Sequence, residues 1–182
     1  MSPTPTAQRY PMAPLIRFTL LALYLALVLP LPVLAPPSLR LPLLLAAIAG
    51  LLLVVAITSE RVELDERQLR VGHPPWCSWL LRRGWQLPWD RITALTPVTT
   101  SQGGRVYYVR TASSEGERSG AAWLLPQRVA RFEDFLERFS AATGIATEGI
   151  GRISPPWTYR LLALLCGLLL AGEAAALILR PA

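Results

Sequence analysis

The chain has 182 residues and a net charge of +6, and 52% of its residues are hydrophobic while only 16% are charged. A soluble domain carries about 25% charged residues, so this composition argues against a soluble globular enzyme. The basic residues are all arginine, with one histidine and two cysteines, which argues against lysine chemistry and excludes a histidine-rich metal site, a zinc ribbon and a disulfide-stapled secreted module.

Three stretches approach the length needed to cross a membrane, about 20 residues. Residues 18–35 and 41–58 contain no charged side chain, and residues 161–179 contain one, Glu173. The first two are separated by only five residues, which predicts a helical hairpin and not a cleaved signal peptide. The alternative to three spans is two spans with a peripheral third helix.

Two prolines interrupt the first stretch. Pro30 and Pro32 lie near its end, and proline removes a backbone donor from a helix. We therefore expect the regular helix to weaken near Val28 and residues 30–37 to form the turn of the hairpin.

The distribution of arginines predicts the orientation in the membrane. Arg9 and Arg17 precede the first stretch, and three arginines closely follow the second, whereas the hairpin loop carries only Arg40. Because basic residues are enriched on the cytoplasmic side, we expect the amino terminus and the insert between the second and third stretches to be cytoplasmic. The expected location is the inner or plasma membrane, or the thylakoid in a photosynthetic cell.

The insert is a different kind of sequence and holds 11 of the 12 acidic residues. Alternating apolar and polar residues predict short strands at 61–65, 68–72, 76–81, 85–87, 91–98, 106–111 and 121–125. From residue 127 to residue 143 the apolar residues recur every three or four positions, which predicts an amphipathic helix ending at Gly144.

These elements predict an α+β membrane protein with three transmembrane helices. The expected domains are an amino-terminal tail with the hairpin at 1–58, a cytoplasmic domain at 59–156 and a third transmembrane helix within 157–182. The cytoplasmic domain is expected to be a small antiparallel barrel or sheet covered by its carboxy-terminal helix.

The cytoplasmic domain resembles a known bacterial family. The segment Leu87-Pro-Trp-Asp-Arg-Ile is similar to a Pro-Trp phrase of bacterial pleckstrin-homology-like domains, and the 62–71 hairpin after two membrane helices also looks like that family. This resemblance covers residues 58–145 and implies the barrel fold. The length and the amino-terminal hairpin are also similar to the photosystem I assembly factor of cyanobacteria and chloroplasts, which implies a role in assembling a membrane complex.

Four arginines are candidate anion contacts, namely Arg67, Arg70, Arg82 and Arg83. The resemblance implies that cations in the early loops of such a domain can hold phosphoinositide or other anionic headgroups. The insert has 13 arginines against 11 acidic residues, so the alternative is plain contact with an anionic membrane surface. No basic stripe with interleaved aromatic residues is visible, and we expect no nucleic-acid binding.

Two tryptophans are candidate partner contacts. Trp76 and Trp79 would lie on opposite faces of a single strand, so at least one is expected to be exposed to a lipid surface or a protein partner. The alternative is that both belong to the core of a small barrel.

Glu173 is the one charged residue within the three apolar stretches, where an acid costs a few kcal/mol. We expect it either to be protonated and hydrogen-bonded within the bundle or to meet another subunit. Gly167, Ala171 and Ala175 recur every four residues and form a small-residue face that lets helices approach closely. The alternative for this face is ordinary packing of the chain's own helices.

The sequence therefore predicts a non-catalytic membrane protein that binds or scaffolds, such as an assembly or stability factor for a membrane complex. We expect membrane lipids and other membrane proteins as partners, and no cofactor. Two alternatives stay open: a sensor of lipid headgroups, and an accessory subunit of a transporter or membrane enzyme in which Glu173 handles protons or ions.

Overall fold

The computed structural model describes residues 7–81, 84–101, 105–112, 121–151 and 156–179. The chain forms two compact units. The sheet unit comprises residues 1–13 and 59–154, and the helical unit comprises residues 14–58 and 155–182. Sequence analysis assigned the amino-terminal residues to a tail of the membrane hairpin, and the structure instead groups the described residues 7–13 with the insert.

The elements follow one another along the described chain as seven strands and six α-helices. They are β1 (Gln8–Pro11), α1 (Pro14–Val28), α2 (Pro30–Leu34), α3 (Pro37–Ile57), β2 (Arg61–Leu64), β3 (Gln68–Gly72), α4 (Pro75–Ser78), β4 (Trp85–Pro88), β5 (Ile92–Thr99), β6 (Arg105–Thr111), β7 (Ala122–Leu124), α5 (Phe132–Thr143) and α6 (Pro156–Ile178). A short 3-10 turn, Trp89–Arg91, leads into β5.

Three helical segments are long and apolar enough to cross a membrane, namely Pro14–Leu34, Pro37–Ile57 and Trp157–Ile178. This confirms the three predicted stretches, each of which begins a few residues earlier than expected. The expected turn at 30–37 is wrong for its first half, because Pro30–Leu34 is helical. Leu29 keeps helical backbone angles, and proline is tolerated at the first position of a helix. Of the expected turn, only Ala35 and Pro36 therefore lie outside the helices.

Polar side chains fix α1 against both of its neighbours. The buried hydroxyl of Thr19 lies 2.7 Å from a carbonyl oxygen of its own helix and 3.3 Å from the carbonyl oxygen of Tyr159 in α6. The Tyr24 hydroxyl donates a hydrogen bond of 2.7 Å to the carbonyl oxygen of Ala47 in α3. A Cβ atom on Gly50 would collide with that hydroxyl, so the absent side chain lets α1 and α3 approach closely.

The sheet unit contains two antiparallel sheets, with strand orders β1-β2-β3-β4 and β5-β6-β7. The expected α+β class with antiparallel strands is therefore confirmed. The hairpin of β2 and β3 pairs as the sequence predicted, with Val62 opposite Val71. The two sheets stay separate in the described part of the chain, so the barrel is not closed there.

One core joins both sheets to α5. The strands alternate, so that β2 and β3 each direct every second side chain into this core. The helix contributes the side chains that its spacing predicted, Phe132, Phe135, Leu136 and Phe139. Trp85 of the first sheet and Trp123 of the second lie with ring centroids 5.8 Å apart. The helix thus covers the space that two small open sheets would otherwise leave exposed to water.

The predicted helix over 127–143 is wrong at its amino-terminal end, because α5 begins at Phe132. The residues before it form a turn that ends in the left-handed conformation of Arg131, and they bind residues 11–13 of the distant amino terminus. The N–H of Ala13 donates to the carbonyl of Arg128, and the N–H of Ala130 donates to the carbonyl of Pro11, both at 2.7 Å. These backbone groups cannot also form a helix, so long-range pairing overrides the local periodicity.

Tyr10 of strand β1 lies in the core of the sheet unit, and its side chain is fully buried. The Tyr10 hydroxyl donates a hydrogen bond of 2.7 Å to the carboxylate of Asp134. Its ring meets that of Phe135 edge-on at 5.6 Å, and the guanidinium of Arg131 lies 5.3 Å from the ring centroid. Tyr10 therefore joins the amino terminus to the start of α5.

This contact makes stability depend on pH. Burial, together with the hydrogen bond to Asp134, raises the pKa of Tyr10 from 10.0 to about 12. As pH rises from 10.0 to about 12 the unfolded chain releases this proton while the folded chain keeps it, so stability present below that window is lost through it. We expect the free energy of unfolding to fall by about 2 kcal/mol more in the wild type than in Tyr10→Phe. Denaturant titrations of both proteins at pH 9 and pH 12 check this, and equal losses would contradict it.

Candidate functional site

A helical turn, and not a strand, follows β3. Sequence analysis predicted a strand at 76–81, which is wrong, because Pro75–Ser78 is α4. Pro75 occupies the first helical position, which proline favours, and the carbonyl of Pro74 accepts hydrogen bonds from the N–H groups of Cys77 and Ser78. The side chain of Cys77 in this turn is buried.

The turn presents three large apolar side chains to the surface. Trp76, Trp79 and Leu80 are 53%, 79% and 55% exposed, and we call these three residues the aromatic turn. The indole N–H of Trp79 donates to the carbonyl of Trp76 at 2.9 Å, which fixes the two residues relative to each other. Both predicted contact tryptophans are thus exposed, although a strand would have exposed one and buried the other.

Strand register decides at which end of the sheet the aromatic turn emerges. Pro11, Arg61 and Gly72 are aligned across β1, β2 and β3. The chain continues from Pro11 into α1 after two residues, and arrives at Arg61 from α3 after three. The aromatic turn follows Gly72, so it leaves the sheet at the same end as the two connections to the apolar helices.

The structure describes two of the four candidate arginines, Arg67 and Arg70, and places them in different parts of the first sheet. Arg70 lies within β3, whereas Arg67 lies in the turn between β2 and β3, at the opposite end of the sheet from the aromatic turn. Arg82 and Arg83 lie outside the described residues. In the turn of Arg67, backbone N–H groups donate to the carboxylate of Asp65, and against the opposing effect of burial they lower the pKa of that carboxyl.

Arg70 instead belongs to a polar row on the outer face of the first sheet. Glu63 lies opposite Arg9 and Arg70 in the register, and its carboxylate is 3.1 Å from the Arg9 guanidinium and 3.0 Å from that of Arg61. Arg70 donates a hydrogen bond of 3.0 Å to the side-chain oxygen of Gln86. One acid thus pairs with two cations while Arg70 lies across from it, and the row carries an excess of positive charge.

This row borders a cavity of about 200 Å³ beside the aromatic turn. The lining residues are Arg61, Glu63, Arg70, Gly72, His73, Pro75 and Ser78. The imidazole Nδ1 of His73 is buried and makes no hydrogen bond in the described part of the chain. Two guanidinium groups and an imidazole can offer hydrogen bonds to an anion, and Glu63 opposes it. Sequence analysis did not predict Arg61 and His73 as cavity residues. Strand alternation places Arg61 on the same face as Glu63, but it gives no signal for His73.

The helical unit holds the other predicted contacts. Gly167, Ala171 and Ala175 are exposed, so this small-residue face is not used in packing the described helices of this chain. Glu173 is partly buried on another side of α6, and its Oε2 atom has no hydrogen-bond partner among the described residues. The expected hydrogen bond within the bundle is therefore absent for that atom.

Metal-binding side chains are not clustered in the described ranges, where no group of three or more His, Cys, Asp and Glu could hold an ion. Cys77 and Cys166 are both buried, one in each unit, and they form no disulfide bond. The chemistry offered by the described residues of the surfaces above is hydrogen bonding, ion pairing and apolar contact.

A relative of the chain occurs in a cyanobacterium. The uncharacterized protein slr0269 of Synechocystis sp. (strain ATCC 27184 / PCC 6803 / Kazusa) is 41% identical over 175 residues, which covers 93% of this chain and 85% of the relative. The chain belongs to the family of this cyanobacterial protein. No family model and no solved structure matches the chain. The match extends over nearly the whole chain and so spans both its apolar stretches and its insert.

Proposed function

We propose that the chain is a non-catalytic integral membrane protein that binds another membrane protein through the aromatic turn. In this proposal the sheet unit is a pleckstrin-homology-like domain on the cytoplasmic side, and the protein acts as an assembly or stability factor. Two small antiparallel sheets covered by a carboxy-terminal helix support the likeness to that domain.

The topology is supported by strand pairing as well as by charge. β1 and β2 are neighbours in one sheet, and two apolar helical segments separate them in sequence. If both segments cross the membrane, they return the chain to the side from which it started. Arg9, Arg17 and the arginines of the insert then lie on one side, which the positive-inside rule makes the cytoplasm.

The single observation that carries the proposed function is the exposure of the aromatic turn. Two indoles exposed to water contribute no free energy of burial to the fold, whereas tryptophan is enriched at the centres of protein interfaces. The strand register places these side chains at the end of the sheet that continues into the membrane helices. We therefore assign the contact to the membrane-adjacent part of a partner protein.

A double substitution tests this assignment. We expect Trp76→Ser with Trp79→Ser to release a stoichiometric partner, because each interface tryptophan contributes about 2 kcal/mol or more and two together reduce affinity at least about a hundredfold. The measurement is gentle detergent extraction from the native membrane, native-size separation and quantitative mass spectrometry of co-migrating proteins.

The matched control is Leu124→Ser, which removes a side chain that is 48% exposed on the other sheet. This variant should retain the partner, and all variants should show wild-type unfolding. A wild-type protein that migrates alone, or a partner that stays bound to the double variant, would contradict the proposed function.

A second candidate function is recognition of an anionic lipid headgroup, favoured by the cationic cavity beside the aromatic turn. Arg61 and Arg70 line it, and the free Nδ1 of His73 adds a potential contact. Here Arg70→Gln would reduce the anionic lipid that remains bound in native mass spectrometry. Arg67→Gln, at the opposite end of the sheet, serves as the control. Loss of lipid with an unchanged protein partner would favour this candidate over the first.

A further inference from the structure

A cavity in the helical unit contains one polar atom that nothing described in the chain satisfies. It lies between the α1–α2 segment and α6 and has a volume of about 210 Å³. The lining residues are Leu29, Pro30, Val33, Leu34, Leu170, Glu173, Ala174, Ala176 and Leu177. All but Glu173 are apolar, and the Oε2 atom of Glu173 is buried without a hydrogen bond among the described residues.

An unsatisfied carboxyl oxygen in this position is costly. Burying a polar group without a partner costs about 1–3 kcal/mol, and hydrocarbon offers no donor to replace water. Acidic residues in membrane helices are accordingly found facing partners or polar cavities. The other side chains that line this cavity carry no hydrogen-bond donor, so we expect a bound molecule to supply one to Glu173.

The dimensions favour a small molecule over a partner helix. An apolar cavity of about 150 Å³ is known to bind benzene, and an α-helix with side chains is about 10 Å wide. A partner helix would instead approach the exposed small-residue face of Gly167, Ala171 and Ala175, none of which lines the cavity. An uncharged donor fits better than a cation, because burying a charge in an apolar cavity carries a large desolvation penalty.

We propose that this cavity binds a lipid-soluble molecule with an apolar body the size of a substituted benzene ring and one hydroxyl group that donates to Glu173. This site rests on the membrane insertion that the proposed function includes, but not on partner binding by the aromatic turn, which belongs to the other unit.

Two matched probes test the site, 4-propylphenol and propylbenzene, which differ only in the hydroxyl group. The full-length protein is placed in lipid nanodiscs, and binding of each probe is measured by equilibrium dialysis against empty nanodiscs. We expect the wild type to bind 4-propylphenol about tenfold more tightly than propylbenzene, the effect of one hydrogen bond in an apolar site. The carbonyl stretch of Glu173 should also move to lower wavenumber with 4-propylphenol alone.

Two variants decide between a built site and simple partition into lipid. Glu173→Leu removes the acceptor at similar volume and should abolish the preference for 4-propylphenol, while Val33→Phe fills the cavity and should weaken both probes at least about tenfold. The variant with both Trp76→Ser and Trp79→Ser should bind the probes as the wild type does. Equal binding of the two probes to the wild type, or a preference that survives in Glu173→Leu, would overturn the proposal.

Discussion

Replacing Tyr10 by alanine is expected to lower the free energy of unfolding of the sheet unit by about 3–5 kcal/mol. The side chain is fully buried against Phe135 and donates to Asp134, so the variant loses a buried aromatic ring and a hydrogen bond to a carboxylate. Loss of the Tyr10 side chain also weakens the pairing of β1 with its sheet, from which two apolar helical segments separate it in the sequence. Denaturant titration of the full-length protein in detergent, followed by tryptophan fluorescence, measures this effect.

Two further variants separate the contributions to this effect. Tyr10→Phe keeps the ring and loses only the hydroxyl, so we expect a loss of about 1.5 kcal/mol, typical of a hydrogen bond to a charged group. Leu124→Ala, on an exposed strand position, should change stability by less than about 0.5 kcal/mol. A Tyr10→Ala protein as stable as the wild type would show that β1 is dispensable.

Replacing Trp89 by alanine is expected to cost about 3 kcal/mol. Its indole N–H donates to the carbonyl of Asp65 at 2.9 Å, and its ring meets that of Phe139 edge-on at 6.0 Å. Its backbone N–H also donates to the carbonyl of Arg67. Trp89 therefore binds the turn between β2 and β3 and the face of α5 at once, which gives the Pro-Trp phrase of the sequence a structural role.

The control for Trp89 is a second tryptophan of the same domain. Trp79 is 79% exposed, so Trp79→Ala should change the free energy of unfolding by less than about 0.5 kcal/mol. Trp89→Phe keeps an aromatic ring against Phe139 and should recover most of the loss. Equal destabilisation by Trp79→Ala and Trp89→Ala would contradict the division of these residues into surface and core.

The candidate surfaces were only partly predictable from the sequence. Trp76 and Trp79 were identified because tryptophan is common at contact surfaces and because alternation along a single strand would expose at least one of them. Their shared exposure required the helical turn that Pro74 and Pro75 begin. The resemblance to pleckstrin-homology-like domains suggested the grouping of Arg67 with Arg70, yet the turn of the hairpin places Arg67 at the end of the sheet opposite the aromatic turn. His73 carried no signal, since its environment depends on a neighbouring strand.

The sequence by itself determined the features that depend on local composition and period. The three apolar segments follow from runs of uncharged residues, the β2–β3 hairpin from alternation, and the buried face of α5 from residues recurring every three or four positions. Each of these signals lies within a single stretch of chain, because the spacing of apolar and polar side chains along that stretch determines whether it forms a helix or a strand.

Only the tertiary structure decided the features that join distant stretches. Residues 8–11 have no strong strand signal, and they become β1 because β2 supplies the backbone partners. The start of α5 moves to Phe132 because residues 11–13 bind the backbone before it, and the cavity at Glu173 exists because α6 lies beside α2. Backbone hydrogen bonds and packing between residues far apart in sequence set these features, and no local pattern contains them.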